Sequence, residues 1–267
     1  MSDEIPGLLV ATTDGILRLT LDRPAQRNAI DDAVMRGLID AIDAANRDEG
    51  VRAILIGGTG DHFCSGADIV ARNAPTGERP RVGSIQRRVP SLAHRLISLL
   101  VNVQVPVVCA VRGYAAGIGL HLAVAADFTV AADDATLWEP FSQRGFTPDS
   151  GGTWLIPRRI GPTRARELLM LGRRLTGAEA AEWELVHRSV PATEVTATAE
   201  ALAAQMAAGP TVALGLTKWL LHHGEGRALE PQLADEAFAL ELSSRSEDFR
   251  EGLKAFGEKR DPDFRGR

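Results

Sequence analysis

Apolar and polar positions along this chain fall into short blocks whose period changes with position. Leu8–Thr12 and Ile16–Leu21 read as strands, and Asp14-Gly15 between them is a strong two-residue hairpin signal. Asp31 or Asp32 can cap a helix running to about Asn46, with Val34, Leu38, Ile39 and Ile42 on one face. Ala53–Ile56 is a continuously apolar run that reads as a buried strand ending at Gly57-Gly58. Leu92–Val101 has helical spacing, Val107–Val111 is a second buried strand, and Phe128–Ala131 is a third. Beyond that the pattern turns helical. Glu194–Ala208 is alanine-rich, Gly209-Pro210 breaks it, and Thr211–His222 and Pro231–Leu242 continue as helices. The alternation predicts an α/β fold of repeated strand and helix units. Residues 1–200 are expected to form the core, and residues 201–267 a helical region. That region lacks predicted strands, so its apolar faces need a partner surface, either its own core or another subunit.

Two glycine-bearing segments punctuate this rhythm: Phe63-Cys64-Ser65-Gly66-Ala67-Asp68 and Gly113-Tyr114-Ala115-Ala116-Gly117-Ile118-Gly119. Each reads as the end of a strand and the opening of a helix. Helix N-termini leave backbone N–H groups without partners. Two such ends converging would aim two donors at one oxygen, an oxyanion hole for charge developing on a carbonyl. The bland alternative is a pair of ordinary turns in which glycine relieves strain.

Composition narrows the field. A net charge of −5 disfavours a general nucleic-acid-binding role. Cys64 and Cys109 are the only cysteines, both in apolar surroundings, so free buried thiols in a reducing compartment are expected. MSDEIPGLLV has no basic stretch followed by a long apolar run, and the longest apolar stretches are broken well before membrane-spanning length. The expectation is a cytoplasmic globular protein with no nucleic-acid or membrane partner.

Several motifs fail on inspection. Gly117-Ile118-Gly119 lacks the third glycine of a dinucleotide fingerprint, because position 122 is Leu122. No phosphate-binding P-loop pattern and no G-x-S-x-G elbow occur. Asp149-Ser150-Gly151-Gly152 matches a trypsin-like serine protease string, but such a chain would be all-β and usually disulfide-bonded. Asp149 is either a turn residue or a general acid/base just before a helix. His121 lies on the first turn of an apolar helix and reads as a core or interface residue. His222 and His223 suit a helix C-terminus. No cluster has metal-ligand spacing, so no metal is expected. Residues 72–90, with Arg79, Arg81, Arg87 and Arg88, read as an exposed, mobile loop, solvated or attractive to an anionic ligand.

Taken together, these residues resemble the enoyl-CoA hydratase/isomerase (crotonase) superfamily over nearly the whole chain. The matching pieces begin with Leu21-Asp22-Arg23-Pro24, Arg27-Asn28-Ala29-Ile30 and Phe63 to Ile69. Pro106-Val107-Val108, Gly113-Tyr114-Ala115 with Gly117 and Gly119, and Gly151-Gly152-Thr153 with Pro157-Arg158-Arg159-Ile160-Gly161 follow. Leu175 to Ala180 and the tail from Glu251 to Pro262 complete the match. The resemblance implies a spiral of ββα units with a C-terminal helical region. It also implies acyl-CoA thioester substrates, coenzyme A entering as part of the substrate with no separate cofactor, and a homotrimer or dimer of trimers. It assigns the oxyanion donors to the N–H groups of Ala67 and Ile118. Arg27 and the stretch Ser65, Gly66, Ala67, Asp68 and Ile69, with Gly117, match positions around the substrate. Phe256 and Lys259 match tail positions that reach coenzyme A across a subunit contact in relatives.

The departures are as informative. Family hydratases hold water between two glutamates, and here the aligned positions are His121 and Phe141. Glu139 is two residues from Phe141, and a local shift could bring it into play. The segment Pro148-Asp149-Ser150-Gly151-Gly152 is instead similar to isomerases of phenylacetate breakdown, in which the aspartate acts on the acyl chain. The resemblance therefore implies a double-bond isomerase with Asp149 as acid/base. A hydratase with relocated carboxylates, or an acyl-CoA-binding protein without turnover, are the alternatives. Phe141 in a glutamate's place is expected to dry the pocket and raise the pKa of a nearby carboxylate.

Overall fold

The computed structural model describes residues 5–68 and 81–267. Strands β1 (Leu8–Thr13) and β2 (Ile16–Leu21) form the expected hairpin, with Thr13 opposite Ile16. Asp14 and Gly15 take φ values of 52° and 74°, the positive pair that a tight two-residue hairpin turn requires. Beyond β2 the sheet is parallel. It runs through β3 (Ala53–Gly58), β4 (Val107–Val111), β6 (Phe128–Ala132) and β9 (Arg188–Val190), in the order β1-β2-β3-β4-β6-β9. The apolar runs of β3 and β4 follow from burial on both faces of a parallel sheet. A second sheet, β5-β7-β8, is built from three-residue strands, Tyr114–Ala116, Thr136–Trp138 and Arg174–Thr176.

Helix α1 (Asp32–Ala45) starts where Asp31 accepts from the N–H groups of Ala33 and Val34, and it buries Val34, Leu38, Ile39 and Ile42. Residues 84–88, read from sequence as loop, form a short helix, α2 (Ser84–Arg88); Arg79 lies outside the described residues. Helix α3 (Ala93–Asn102) packs on α1. Every residue of α4 (Ile118–Ala125) is buried, so it shows no amphipathic period. Helix α5 (Gly152–Leu169) breaks at Gly161, and α6 (Gly177–Glu182) opens on a capping box of Thr176 and Glu179. Helix α7 (Val195–Ala207) lies over β3, β4 and β6, facing them with Ala199 and Ala203, whose small side chains allow close approach.

Helices α8 (Thr211–Gly224), α9 (Leu229–Ser243) and α10 (Glu247–Glu258) complete the chain. Two polar clamps tie them to the core. Lys218 of α8 is buried, and its Nζ donates to Leu100 O at 3.0 Å, Val105 O at 3.3 Å and Asp127 Oδ2 at 2.7 Å. Burial pushes the Lys218 pKa down, against the pull of Asp127. Burial alone would raise Asp127, but His222, Lys218 and the Val107 N–H together hold it below the usual carboxylate range. At the other clamp, the Arg52 guanidinium donates to Gly209 O and Phe264 O. Among the described residues, no helix is long and apolar enough to cross a membrane.

Candidate active site

The two glycine-bearing segments meet at the C-terminal ends of β3 and β4. Phe63–Asp68 is not the direct end of a strand, as the sequence suggested. β3 stops at Gly58, and the segment is held as single bridges, Cys64 to Ala115 and Ala67 to Ile30. The helix expected after it would begin at Ile69, which lies outside the described residues. The second segment behaves as expected: β5 ends at Ala116, and α4 opens on Gly117.

Glycine permits the approach. The Cys64 N–H donates to Tyr114 O at 2.8 Å, and the Ala116 N–H to Cys64 O at 3.0 Å. A Cβ on Gly66 would stand 3.1 Å from Ala116 O, and one on Gly119 only 2.6 Å from Cys64 O. Gly66 and Gly117 also take φ values of 109° and 52°, which side chains disfavour. Neither Ala67 N–H nor Ile118 N–H meets an acceptor among the described residues. Ile118 is the first residue of its helix, where no intrahelical partner exists. The structure thus juxtaposes two donor-bearing segments, both N–H groups unspent among the described residues.

Around them, Arg27 sits at φ 51° with its guanidinium 5.5 Å from the Tyr114 ring centroid. Arg27 O accepts from Ser65 N, and Ser65 Oγ donates to Gln26 O. Asp68 pairs with Arg23 at 3.1 Å. Buried Asn28 stitches the loop after β3, accepting from Arg23 N and donating to Thr59 O and His62 O. Phe256 and Lys259 lie on and just after α10, Phe256 being 85% exposed. The tail that follows them is anchored through Arg52, at the N-terminal end of β3, whereas the glycine-bearing segments meet at the C-terminal end.

Asp149 occupies a tight turn in which Ser150 and Gly151 both have positive φ, immediately before α5. Ser150 Oγ donates to Asp149 Oδ1 at 2.6 Å, and residue 149 is otherwise exposed.

His121 and Glu139 form a pair that sequence spacing did not show. His121 Nε2 lies 3.0 Å from Glu139 Oε1, and both side chains are fully buried. The approach is poorly aligned: neither ring nitrogen and neither carboxylate oxygen has a well-formed hydrogen bond. Buried groups left in that condition cost about 1–3 kcal/mol each. Burial pushes the Glu139 pKa up and the Asp149 charge adds to this, while His121 opposes it. The raised carboxyl expected near Phe141 is therefore Glu139. Phe141 lies against the histidine of the pair, its ring parallel to that of His121 with centroids 5.9 Å apart and 8° between planes. Gly152 is fitted to the far side, where a Cβ would come within 2.2 Å of His121 Nε2. A signal for this pair does exist in the register of β5 and β7. Ala116 opposes Trp138, so Gly117 and Glu139 follow side by side. The strands were too short to recognise by pattern.

A surface pocket lined by Asp14, Arg18, Arg52 and Glu200 lies by the N-terminal ends of β2 and β3, against α7, and shares no residue with this site. Among the described residues no cluster of His, Cys, Asp or Glu could hold a metal ion.

Comparison with known proteins agrees with the geometry. A sequence model described as enoyl-CoA hydratase/isomerase matches residues 11–267. The 1,2-epoxyphenylacetyl-CoA isomerase of Escherichia coli is 40% identical over 95% of this chain and 96% of its own length. The 2,3-dehydroadipyl-CoA hydratase of the same organism is 33% identical over 97% and 99%. The crystal structure of an enoyl-CoA hydratase from Bacillus anthracis superposes with a TM-score of 0.90 at 30% identity, covering 98% of this chain and 100% of that one. With a crotonase fold and a model match spanning nearly its full length, this chain belongs to the enoyl-CoA hydratase/isomerase family of acyl-CoA enzymes.

Proposed function

We propose that the protein moves a carbon–carbon double bond along an acyl-CoA, using Asp149 as the single acid/base. The N–H groups of Ala67 and Ile118 bind the thioester oxygen. Asp149 removes a proton from C2 of a 3-enoyl-CoA, the electrons pass to the bound oxygen as a dienolate, and the proton returns at C4 to give the 2-enoyl-CoA. Two preorganised donors suit this charge, since losing one such donor costs about 2.7–4 kcal/mol of transition-state stabilisation. The observation that carries the reading is the burial of His121 and Glu139 against each other behind Phe141. Neither can hold a water at the acyl chain, which leaves Asp149 as the accessible carboxylate.

Arg27, Ser65, Gly66, Asp68 and Gly117 border the bound thioester in this proposal, with Ile69 continuing the same stretch. Phe256 and Lys259 complete the site from another subunit of a trimer. Exposed Leu221, Leu229, Leu233, Phe238 and Leu240 on α8 and α9 favour such self-association. The direct test offers 3-enoyl-CoA and 2-enoyl-CoA to the wild type and to Asp149→Asn. Isomerisation should fall on the order of a hundredfold or more in the variant. Undiminished isomerisation, or brisk hydration of crotonyl-CoA by the wild type, would refute the assignment.

A further inference from the structure

The buried His121–Glu139 pair is an odd occupant of an apolar wall. Both side chains are fully excluded from solvent, and their polar atoms lack well-formed hydrogen bonds. Three elements enclose them: α4, which carries His121; the chain after β7, which carries Glu139; and the start of α5, where Gly152 abuts His121 Nε2. A buried aromatic ring also lies against the pair's histidine. Phe141 is 6% exposed, stacks flat on His121, meets Phe146 edge-on at 5.3 Å, and lies 3.6 Å from where a Cβ on Gly117 would be. Gly117 immediately precedes the Ile118 N–H donor, so the ring lies beside the donor as well as against His121.

We propose that Phe141 determines reaction type by sealing a latent carboxylate, Glu139, and its partner His121 away from the acyl site. This rests on the isomerase reading above and adds a reason for it. With the ring in place, a dienolate can only recapture a proton. With the ring removed, water reaches Glu139 and can add to a 2-enoyl-CoA. In that addition the water oxygen bonds to C3 and its proton passes to Glu139. C2 takes a proton from the carboxylic acid form of Asp149, and exchange with solvent resets both groups. Gly152 belongs to the same device, because any side chain there would displace His121.

The test compares wild type, Phe141→Leu, Phe141→Ala and the double variant Phe141→Ala/Glu139→Gln. One readout is hydration of crotonyl-CoA. The other is carbethoxylation of His121 in the native protein, measured by mass spectrometry against exposed His94. Wild type and Phe141→Leu should hydrate at background and protect His121. Phe141→Ala should gain hydration on the order of a hundredfold, the low end for a placed acid–base group, and should expose His121. The double variant should lose the gain while His121 stays reactive. The proposal is overturned if Phe141→Ala melts like wild type with neither readout changed, or if its hydration survives Glu139→Gln. It is overturned equally if His121 of the wild type reacts as fast as His94, a result that does not depend on Phe141→Ala folding. Absence of isomerisation in the wild type would defeat the isomerase reading separately, because His121 protection and the hydration gain are measured without it.

Discussion

A single methyl group at Gly119 tests how the two donor segments are held together. A Cβ there would lie 2.6 Å from Cys64 O, 2.7 Å from Cys64 Cβ and 2.9 Å from Cys64 Sγ. The carbonyl must retreat by about 0.4 Å to reach even 3.0 Å. It is also the acceptor for Ala116 N–H, the bond that couples the segments. Gly119→Ala therefore shifts Phe63–Asp68 relative to Gly117–Ile118 without touching any side chain of the site. Overpacking of this kind costs about 1–3 kcal/mol of stability. For catalysis, losing a donor outright costs about 2.7–4 kcal/mol, and a 1 Å misplacement can cost about a hundredfold. A displacement of a few tenths of an ångström should thus lower kcat about ten- to a hundredfold. The Michaelis constant should change far less, because the donors act mainly on charge that develops in the transition state. The assay is steady-state isomerisation of a 3-enoyl-CoA alongside a thermal melt. For the melt, Gly257→Ala is the control, since a Cβ there meets nothing within 4 Å. A folded Gly119→Ala enzyme with wild-type kcat would show that the close packing of these segments does not position the donors.

Other outcomes follow from the clamps and the buried thiols. Lys218→Met leaves Asp127 buried without its main partner and should cost about 3–5 kcal/mol in chemical denaturation; Lys218→Met/Asp127→Asn should recover part of that loss. The Asp127 carboxyl titrates below its unfolded value, so it stabilises the fold above about pH 4 and that contribution is lost as pH falls through the lowered value. Asp127→Asn should accordingly flatten the acid limb of a stability–pH curve, while an unchanged limb would assign acid sensitivity elsewhere. Burial pushes the Cys64 thiol up to about 12, and Cys109 higher still. Neither should react with a thiol reagent at pH 8 in the native protein, and both should in denaturant.

Much of this architecture is legible in the chain because its signals are local. Asp14-Gly15 announces the hairpin, and Asp31 caps α1. The apolar runs of β3 and β4 announce strands buried on both faces. The strands of the second sheet are three residues long, too few for a period, so β5 and β7 become visible only by pairing. That is why the His121–Glu139 contact was not readable: it depends on a register between segments some twenty residues apart. Helix α4 is legible only through the glycines that open it, since complete burial erases the polar face that would give it a period. Asp149 could be ranked above a plain turn residue through family resemblance, because Pro-Asp-x-Gly alone describes any good turn.

The two parts of the site have opposite mechanical characters. Ile118 opens a helix with no exposed residue, locked between sheets, whereas Asp149 stands on an exposed turn with few neighbours of its own. One part is the anvil and the other the hammer. On the proposed mechanism, substitution around the turn would redirect where a proton is taken without disturbing the wall that holds the charge. Change within α4 would alter the core and that chemistry together. A lineage built this way would diversify its reactions at one edge while its means of steadying an enolate stayed fixed.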